Sequence, residues 1–167
     1  MEESHQKLIT DNEILEVSLK MEREGQVFYK GLSQHLHDPT LKAFVQQMHR
    51  EEIQHEKLFK VMLGEKGDQL YGWEDKKELH DFIEENFKND IFPSLEDSIQ
   101  DDSKFENLQK AVDFAIEAEM VSAEFYSLLG DFCDNLEAKT ALLLLEKAER
   151  DHVKEVLAIK DKLLKQK

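Results

Sequence analysis

The stretch MEREGQVFY, residues 21–29, recurs in outline as AEMVSAEFY, residues 118–126. In each copy a glutamate precedes a tyrosine by seven residues, and the copies lie 97 residues apart. The same separation relates EEIQH, residues 51–55, to AERDH, residues 148–152, so a Glu-x-x-His pair also occurs twice. The matching residues are Glu22 with Glu119, Tyr29 with Tyr126, Glu52 with Glu149, and His55 with His152. This gapless internal repeat indicates that one structural unit is used twice.

Apolar residues three and four positions apart predict two amphipathic helices in the first unit. The first is expected to begin after Thr10, which can form a capping box with Glu13, and to continue to about His37. Its inward face comprises Leu15, Leu19, Glu22, Gly25 or Gln26, Tyr29, Leu32 and Leu36. The inward face of the second comprises Leu41, Val45, Met48, Glu52, His55, Phe59 and Met62.

A short turn at Asp38 and Pro39 joins these helices, since aspartate is favoured as N-cap and proline at the first helical position. Gly64 and Gly67 are expected to end the second helix. Because the turn is short, we expect an antiparallel hairpin over residues 10–65.

The second unit is expected to form a similar hairpin over residues 104–164. Ser103 with Glu106 can cap its first helix, and Asn135 can cap its second. The inward faces are Leu108, Val112, Ala115, Glu119, Ser122, Tyr126, Leu129 and Cys133, then Leu142, Leu145, Glu149, His152, Val156, Ile159 and Leu163.

A long crossover, residues 67–103, separates the hairpins. It is expected to contain a short amphipathic helix around residues 79–87 and a break at Pro93. Its aromatic residues are expected to be buried either against their own bundle or against a second subunit. The run Leu142 to Leu145 likewise predicts burial on more than one side of its helix. The prediction is an all-α, antiparallel four-helix bundle in a single domain, residues 1–167.

Composition narrows the possible partners. The chain has 167 residues and a formal net charge of −15, so we expect neither nucleic acid nor a membrane as partner. No stretch has the roughly 18 consecutive apolar residues of a membrane span, and the first ten residues do not resemble a signal peptide. The single cysteine, Cys133, excludes an internal disulfide and favours a reducing, cytoplasmic compartment.

All four inward faces are interrupted near the middle by Glu, or by Glu with His. A buried carboxylate without a partner costs several kcal/mol, and four close together repel one another. Arg23, Arg50 and Arg150 each point about 100° or more away from the interrupted positions. Two divalent ions would neutralise four carboxylates, which makes the following residues candidate metal ligands: Glu22, Glu52, His55, Glu119, Glu149 and His152.

The spacing supports a single site. At about 1.5 Å per residue, these residues lie roughly 18 to 22 Å from the turn of their own hairpin, so they meet at one level. Carboxylate-rich ligation with one imidazole per ion suits iron or manganese better than zinc. Tyr29 and Tyr126 lie on the same faces and are candidate catalytic residues that could hydrogen-bond to the carboxylates or pass electrons. The alternatives are solvated acids with ordinary core histidines, and two core aromatics.

Over residues 10–65 and 104–164 the sequence resembles the rubrerythrin-like group of the ferritin-like di-iron carboxylate proteins. The likeness rests on MEREGQVFY, EEIQH, AEMVSAEFY and ERDH, and it implies a four-helix bundle that holds two irons. By this resemblance Glu52 and Glu149 bridge the ions, Glu22 with His55 completes one, and Glu119 with His152 completes the other. The implied activity is reduction of hydrogen peroxide or dioxygen.

The sequence departs from that family in three places. With one cysteine it lacks a four-cysteine rubredoxin module, so an external electron donor is required, such as a rubredoxin-like protein or a flavoprotein. Peroxide-reducing rubrerythrins carry a further glutamate where this chain has Ser122, with Gly25 at the equivalent place in the first helix. Ile53 stands where bacterioferritin has its haem-binding methionine, so no haem is expected.

Two other functions remain open from the sequence. A ferritin-type ferroxidase that stores iron would share the site but would need a hollow cage. A metal-free helical interaction protein would keep the repeat only as a scaffold. A homodimer is expected, because a second subunit is one place where the apolar side chains of the crossover can be buried.

Overall fold

The computed structural model describes residues 8–64, 70–87, 89–92, 95 and 104–166. In this part of the chain every regular element is an α-helix, which confirms the all-α prediction. The helices are α1 (Asp11–His35), α2 (Pro39–Gly64), α3 (Lys77–Asn86), α4 (Lys104–Phe132) and α5 (Leu136–Lys165). None of them, among the residues described, carries an apolar run that could cross a bilayer.

Local capping sets where the helices begin. Thr10 and Glu13 form the expected capping box at α1. Asp38 accepts hydrogen bonds from the backbone N–H groups of Thr40 and Leu41 at the start of α2. Asn135 accepts one from Ala138 at the start of α5. The expected capping box of Ser103 with Glu106, the glycine at 67 and the break at Pro93 lie outside the described residues.

One predicted boundary and part of one predicted face were wrong. The first helix ends before His37 because the backbone of Leu36 is already extended, with φ −92° and ψ 132°. Leu15 and Leu19 are only half-buried. Ile14 and Ser18 are fully buried instead. They lie eight and four residues before Glu22, and residues four apart share one face of a helix. On α2, α4 and α5 every residue of the predicted inward faces is buried.

The helices pack as two hairpins. α1 packs along α2 and α4 along α5, while the hairpins meet through α2 and α5. Buried apolar side chains form two separate clusters, one towards the α1–α2 turn and one towards the α4–α5 turn. Between the clusters, each long helix places buried polar side chains. A polar layer therefore crosses the middle of the bundle.

The described part of the crossover packs on its own chain. The rings of Tyr71 and Trp73 stack with centroids 4.7 Å apart, and both side chains are buried. Tyr71 accepts a hydrogen bond from the backbone N–H of Asp134, N–O 2.7 Å, which ties this segment to the α4–α5 turn. Further along, Phe92 is buried and α3 packs on α4. These apolar residues therefore need no second subunit for burial.

Within the described part of the single chain, the four-leucine run is buried on one side only, and burial of its other side by a partner stays a prediction. Leu142 and Leu145 are fully buried, whereas Leu143 and Leu144 are 54% and 59% exposed. Residues three apart share a helix face and residues one apart do not, so only the outer two members of the run reach the core.

Candidate metal centre

The polar layer consists of six buried side chains, here called the Glu/His cluster: Glu22, Glu52, His55, Glu119, Glu149 and His152. Their ligand atoms fall into two groups, each with all atoms within 4.8 Å of one another. The first group contains Glu22 and His55, the second contains Glu119 and His152, and both contain Glu52 and Glu149. The six sequence-predicted residues thus come together in two overlapping sets that share two carboxylates.

The Glu/His cluster has more polar atoms than protein partners. Its buried atoms without a hydrogen bond are Oε2 of Glu22, Oε1 of Glu52, Nδ1 of His55, Oε2 of Glu119, both oxygens of Glu149 and Nδ1 of His152. Ion-pair contacts remain among these atoms: Nδ1 of His55 lies 2.9 Å from Oε1 of Glu149, and Nδ1 of His152 lies 3.1 Å from Oε1 of Glu52. The side chains thus direct unpaired ligand atoms at a common centre, an arrangement that a cation between them would satisfy.

No lysine or arginine among the described residues pairs with the Glu/His cluster. The three arginines near its level bind elsewhere: Arg23 contacts Glu56 at 3.0 Å, Arg150 contacts Glu146 at 2.9 Å, and Arg50 donates to Gln47. Each of these pairs lies at the surface. The buried carboxylates must therefore be balanced by protons or by metal ions.

The pKa values show how protons balance the charge in the metal-free state. Burial raises the pKa of Glu22 and Glu119 well above the usual range, and neighbouring carboxylates raise it further. Burial also raises the pKa of Glu52 and Glu149, but the net shift of both is downward. For Glu52 a hydrogen bond with Glu22 and contacts with both histidines outweigh burial, and for Glu149 contacts with both histidines outweigh it. The pKa values of both histidines of the cluster move upward, because the carboxylates outweigh the lowering effect of burial. Protons on Glu22, Glu119 and both histidines would leave the cluster neutral.

The two tyrosines predicted as catalytic residues link the hairpins. Tyr29 of α1 donates a hydrogen bond to Oε1 of Glu119 on α4, and Tyr126 of α4 donates one to Oε1 of Glu22 on α1. In both glutamates the other oxygen, Oε2, has no hydrogen bond. The tyrosines therefore orient these two carboxylates so that one oxygen of each faces the centre.

Small residues surround the centre. Gly25 lies where a Cβ atom would be 3.2 Å from the carboxylate carbon of Glu52, so only glycine fits there without displacement. Ser122, at the place of the further glutamate of the family pattern, donates its hydroxyl to the backbone carbonyl of Ala118. Ser18 lies with its hydroxyl 3.0 Å from that of Tyr126.

One residue that contacts the Glu/His cluster was missed by the sequence analysis. Glu51 precedes the Glu-x-x-His pair of α2, and its Oε2 lies 2.9 Å from Nε2 of His152 on α5. A glutamate at the surface edge of a helix carries no periodic signal. Only the antiparallel register of α2 and α5, which the sequence does not specify, brings Glu51 opposite His152.

With this geometry established, comparison with known proteins identifies the family. The sequence profile of the rubrerythrin family matches residues 13–160. The chain belongs to the rubrerythrin family. Its resemblance to that family in the sequence motifs is therefore confirmed. No curated protein sequence is a significant match to this rubrerythrin-family chain.

Two solved structures share the fold of this rubrerythrin-family chain. A hypothetical protein from Pyrococcus furiosus is 24% identical, with a TM-score of 0.69 over 95% of this chain and 93% of its own. A protein from Thermotoga maritima, described as a ferritin-like diiron-carboxylate protein, is 21% identical, with a TM-score of 0.70 over 94% of this chain and 98% of its own. At these identities the likeness shows the ferritin-like helical bundle.

The single cysteine of this rubrerythrin-family chain is not part of the Glu/His cluster. Cys133 is buried beyond the end of α4 and donates to the backbone carbonyl of Asn135. Burial raises the pKa of its thiol. It therefore acts as a small core residue.

Proposed function

We propose that this chain binds two iron ions in the Glu/His cluster and reduces hydrogen peroxide or dioxygen with electrons from a separate donor protein. The main support is the overlap of two ligand sets on Glu52 and Glu149, together with the unpaired atoms that face the centre. Four carboxylates and two neutral imidazoles balance two divalent ions. Oxygen-rich ligation favours iron, or manganese, over zinc.

In this proposal each half of the cluster holds one ion. Glu22 with His55 would hold one ion and Glu119 with His152 the other, while Glu52 and Glu149 belong to both ligand sets. When bound, two ferrous ions supply the two electrons that convert hydrogen peroxide and two protons into two waters.

The chain's own residues prepare this site in two ways. Tyr29 and Tyr126 hold Glu119 and Glu22 by hydrogen bonds, and burial keeps both hydroxyls protonated by raising their pKa. Each tyrosine therefore keeps a proton next to a candidate ligand, at its hydroxyl oxygen. The two apolar clusters cover the polar layer from both ends of the bundle and exclude bulk water from it.

Metal content tests the proposal. Protein purified without added metal should contain roughly two transition-metal ions per chain, with iron the main element. After anaerobic loading with Fe(II), one hydrogen peroxide should oxidise two ferrous ions. Glu52→Ala should lose metal, whereas Glu146→Ala, a surface glutamate paired with Arg150, should not. An unloaded wild-type protein, or full metal content in Glu52→Ala, would overturn the proposal.

The electron donor and the assembly are tested separately. A reduced rubredoxin or a flavoprotein reductase should support repeated peroxide turnover, because this sequence has no four-cysteine module of its own. Size-exclusion chromatography should give a dimer, in which a second copy can cover apolar side chains that stay exposed on the single chain, such as Leu143 and Leu144. A particle large enough to enclose a mineral core would instead favour iron storage.

A further inference from the structure

The two histidines of the Glu/His cluster have different surroundings. Nε2 of His152, the ring nitrogen directed away from the centre, lies 2.9 Å from Oε2 of Glu51. The other oxygen of Glu51 accepts a hydrogen bond from the side chain of Gln47, N–O 2.9 Å. Both carboxylate oxygens of Glu51 are thus engaged, and the group is fixed against the outer edge of the His152 ring.

The equivalent support is missing at His55. The 97-residue repeat that relates His55 to His152 places Ala148 at the position equivalent to Glu51. Alanine has no group that could accept a hydrogen bond from Nε2 of His55. In the described part of the chain, the carboxylate contacts of His55 all involve Nδ1. The His55 side chain is also 11% exposed, against 1% for His152.

This difference has a consequence for metal binding. A metal-bound histidine donates its second ring N–H, and a carboxylate that accepts it fixes the tautomer, orients the ring and makes the ligand more basic. When a metal ion displaces the Nδ1 proton of His152, Glu51 keeps the remaining proton on Nε2, so Nδ1 is the ligand atom that faces the centre. His55 has the same ligand atom without this constraint.

We infer that Glu51 is a positioning residue for His152, and that its replacement by Ala148 opposite His55 makes the two metal positions unequal. The ion held by His152 is the tighter one, and the ion held by His55 is the exchangeable one. This inference rests on the proposed metal site and adds an order of loading to it.

A neighbouring acid provides a matched control. The carboxylate of Glu155 lies in the same group as Glu51 and Nε2 of His152, with ligand atoms within 4.8 Å of one another. Glu155 is half-buried and makes no hydrogen bond to the ring among the described contacts. Glu155→Gln therefore removes a nearby negative charge and leaves the Glu51 hydrogen bond in place.

Calorimetric titration with cobalt(II) chloride tests the inference on the full chain. Wild type should bind two ions with affinities at least roughly tenfold apart. Glu51→Ala should weaken the tighter ion by about 10- to 100-fold and leave the weaker one unchanged. Glu51→Gln, which keeps an acceptor oxygen, should restore part of the loss, and Glu155→Gln should change little. Ala148→Glu should strengthen the weaker ion, a gain that does not depend on the folding of the Glu51 variants.

Proton NMR of the cobalt-loaded protein gives a readout that a general loss of stability would not produce. Wild type should show one slowly exchanging, paramagnetically shifted imidazole N–H resonance, from His152. That resonance should exchange faster in Glu51→Ala, and Ala148→Glu should add a second slow one. Two equal sites in wild type, or equal weakening of both ions by Glu51→Ala, would overturn the inference. A wild type that binds no cobalt and no iron would instead overturn the proposed function.

Discussion

The hydroxyl of Tyr126 on α4 donates a hydrogen bond to Oε1 of Glu22 on α1. Tyr29 makes the reciprocal bond from α1 to Glu119 on α4. Each tyrosine thus secures a candidate ligand of the other hairpin, although each lies seven residues after a candidate ligand of its own. The pair of bonds ties the hairpins together at the level of the proposed metal ions.

Tyr126→Phe removes one of these bonds without changing the shape of the core. We expect the metal-free protein to lose about 1 to 2 kcal/mol in the free energy of unfolding, because a buried hydrogen bond to a carboxyl group is lost. The freed Glu22 should also bind metal more weakly. Urea denaturation and metal titration measure the two effects.

Tyr71→Phe is the matched control for Tyr126→Phe. Its hydroxyl is also buried and donates to the backbone carbonyl of Met62, O–O 3.0 Å, away from the Glu/His cluster. Tyr71→Phe should lower stability and leave metal affinity unchanged. Equal metal affinity in both variants would show that Tyr126 does not orient Glu22.

Gly25→Ala separates helix stability from site geometry. Alanine favours the helix by about 1 kcal/mol over glycine, but its Cβ would lie 3.2 Å from the carboxylate carbon of Glu52. We expect Glu52 to be displaced and metal affinity to fall. Gly130→Ala on α4 is the control, since its Cβ would meet Leu142 at an ordinary 3.8 Å. The control should gain stability and keep its metal affinity, and an unaffected site in Gly25→Ala would refute the prediction.

Metal affinity should rise with pH. In the metal-free protein the pKa values of Glu22, Glu119, His55 and His152 are raised, so each of these groups keeps its proton to a higher pH than usual. Metal ions compete with those protons, so lowering the pH strengthens the competitor and weakens metal binding. Loading metal in weakly buffered solution should release protons, measured with a pH-stat. Loading without proton release would contradict this charge balance.

Gly72→Ala tests the anchor of the crossover. Gly72 has φ +104°, and a Cβ there would lie 2.5 Å from the backbone carbonyl oxygen of Phe132. The substitution is strained and also meets backbone that cannot move aside, so stability should fall by at least about 1 to 2 kcal/mol. Thermal unfolding beside Gly130→Ala measures it. A melting temperature equal to that of wild type would mean that this segment does not stabilise the bundle.

The repeat made much of the fold predictable. Ionisable residues on otherwise apolar helical faces must meet a partner, so the six members of the Glu/His cluster could be found without a structure. Thr10, Asp38 and Asn135 marked helix starts because capping is a local interaction between residues close in sequence.

Interactions between helices were less accessible from the sequence. The inner face of α1 passes through Ile14 and Ser18 rather than Leu15 and Leu19. Both sets fit a helical period, and only packing against the other helices decides which set is buried. The partner of each tyrosine and the contact of Glu51 with His152 depend on how the hairpins are placed against each other. The packing of the crossover depends likewise on distant segments, as the bond between Tyr71 and Asp134 shows.

Each hairpin contributes to the centre of the bundle one tyrosine, one single glutamate and one Glu-x-x-His pair, and the hydroxyl of its tyrosine finds its hydrogen-bond partner on the other hairpin. A half-length chain with this content would be incomplete alone. Two identical copies related by a twofold axis would complete the same arrangement. Fusion of such copies frees each half to change independently, and the difference between Glu51 and Ala148 is a divergence that a symmetric pair could not have acquired.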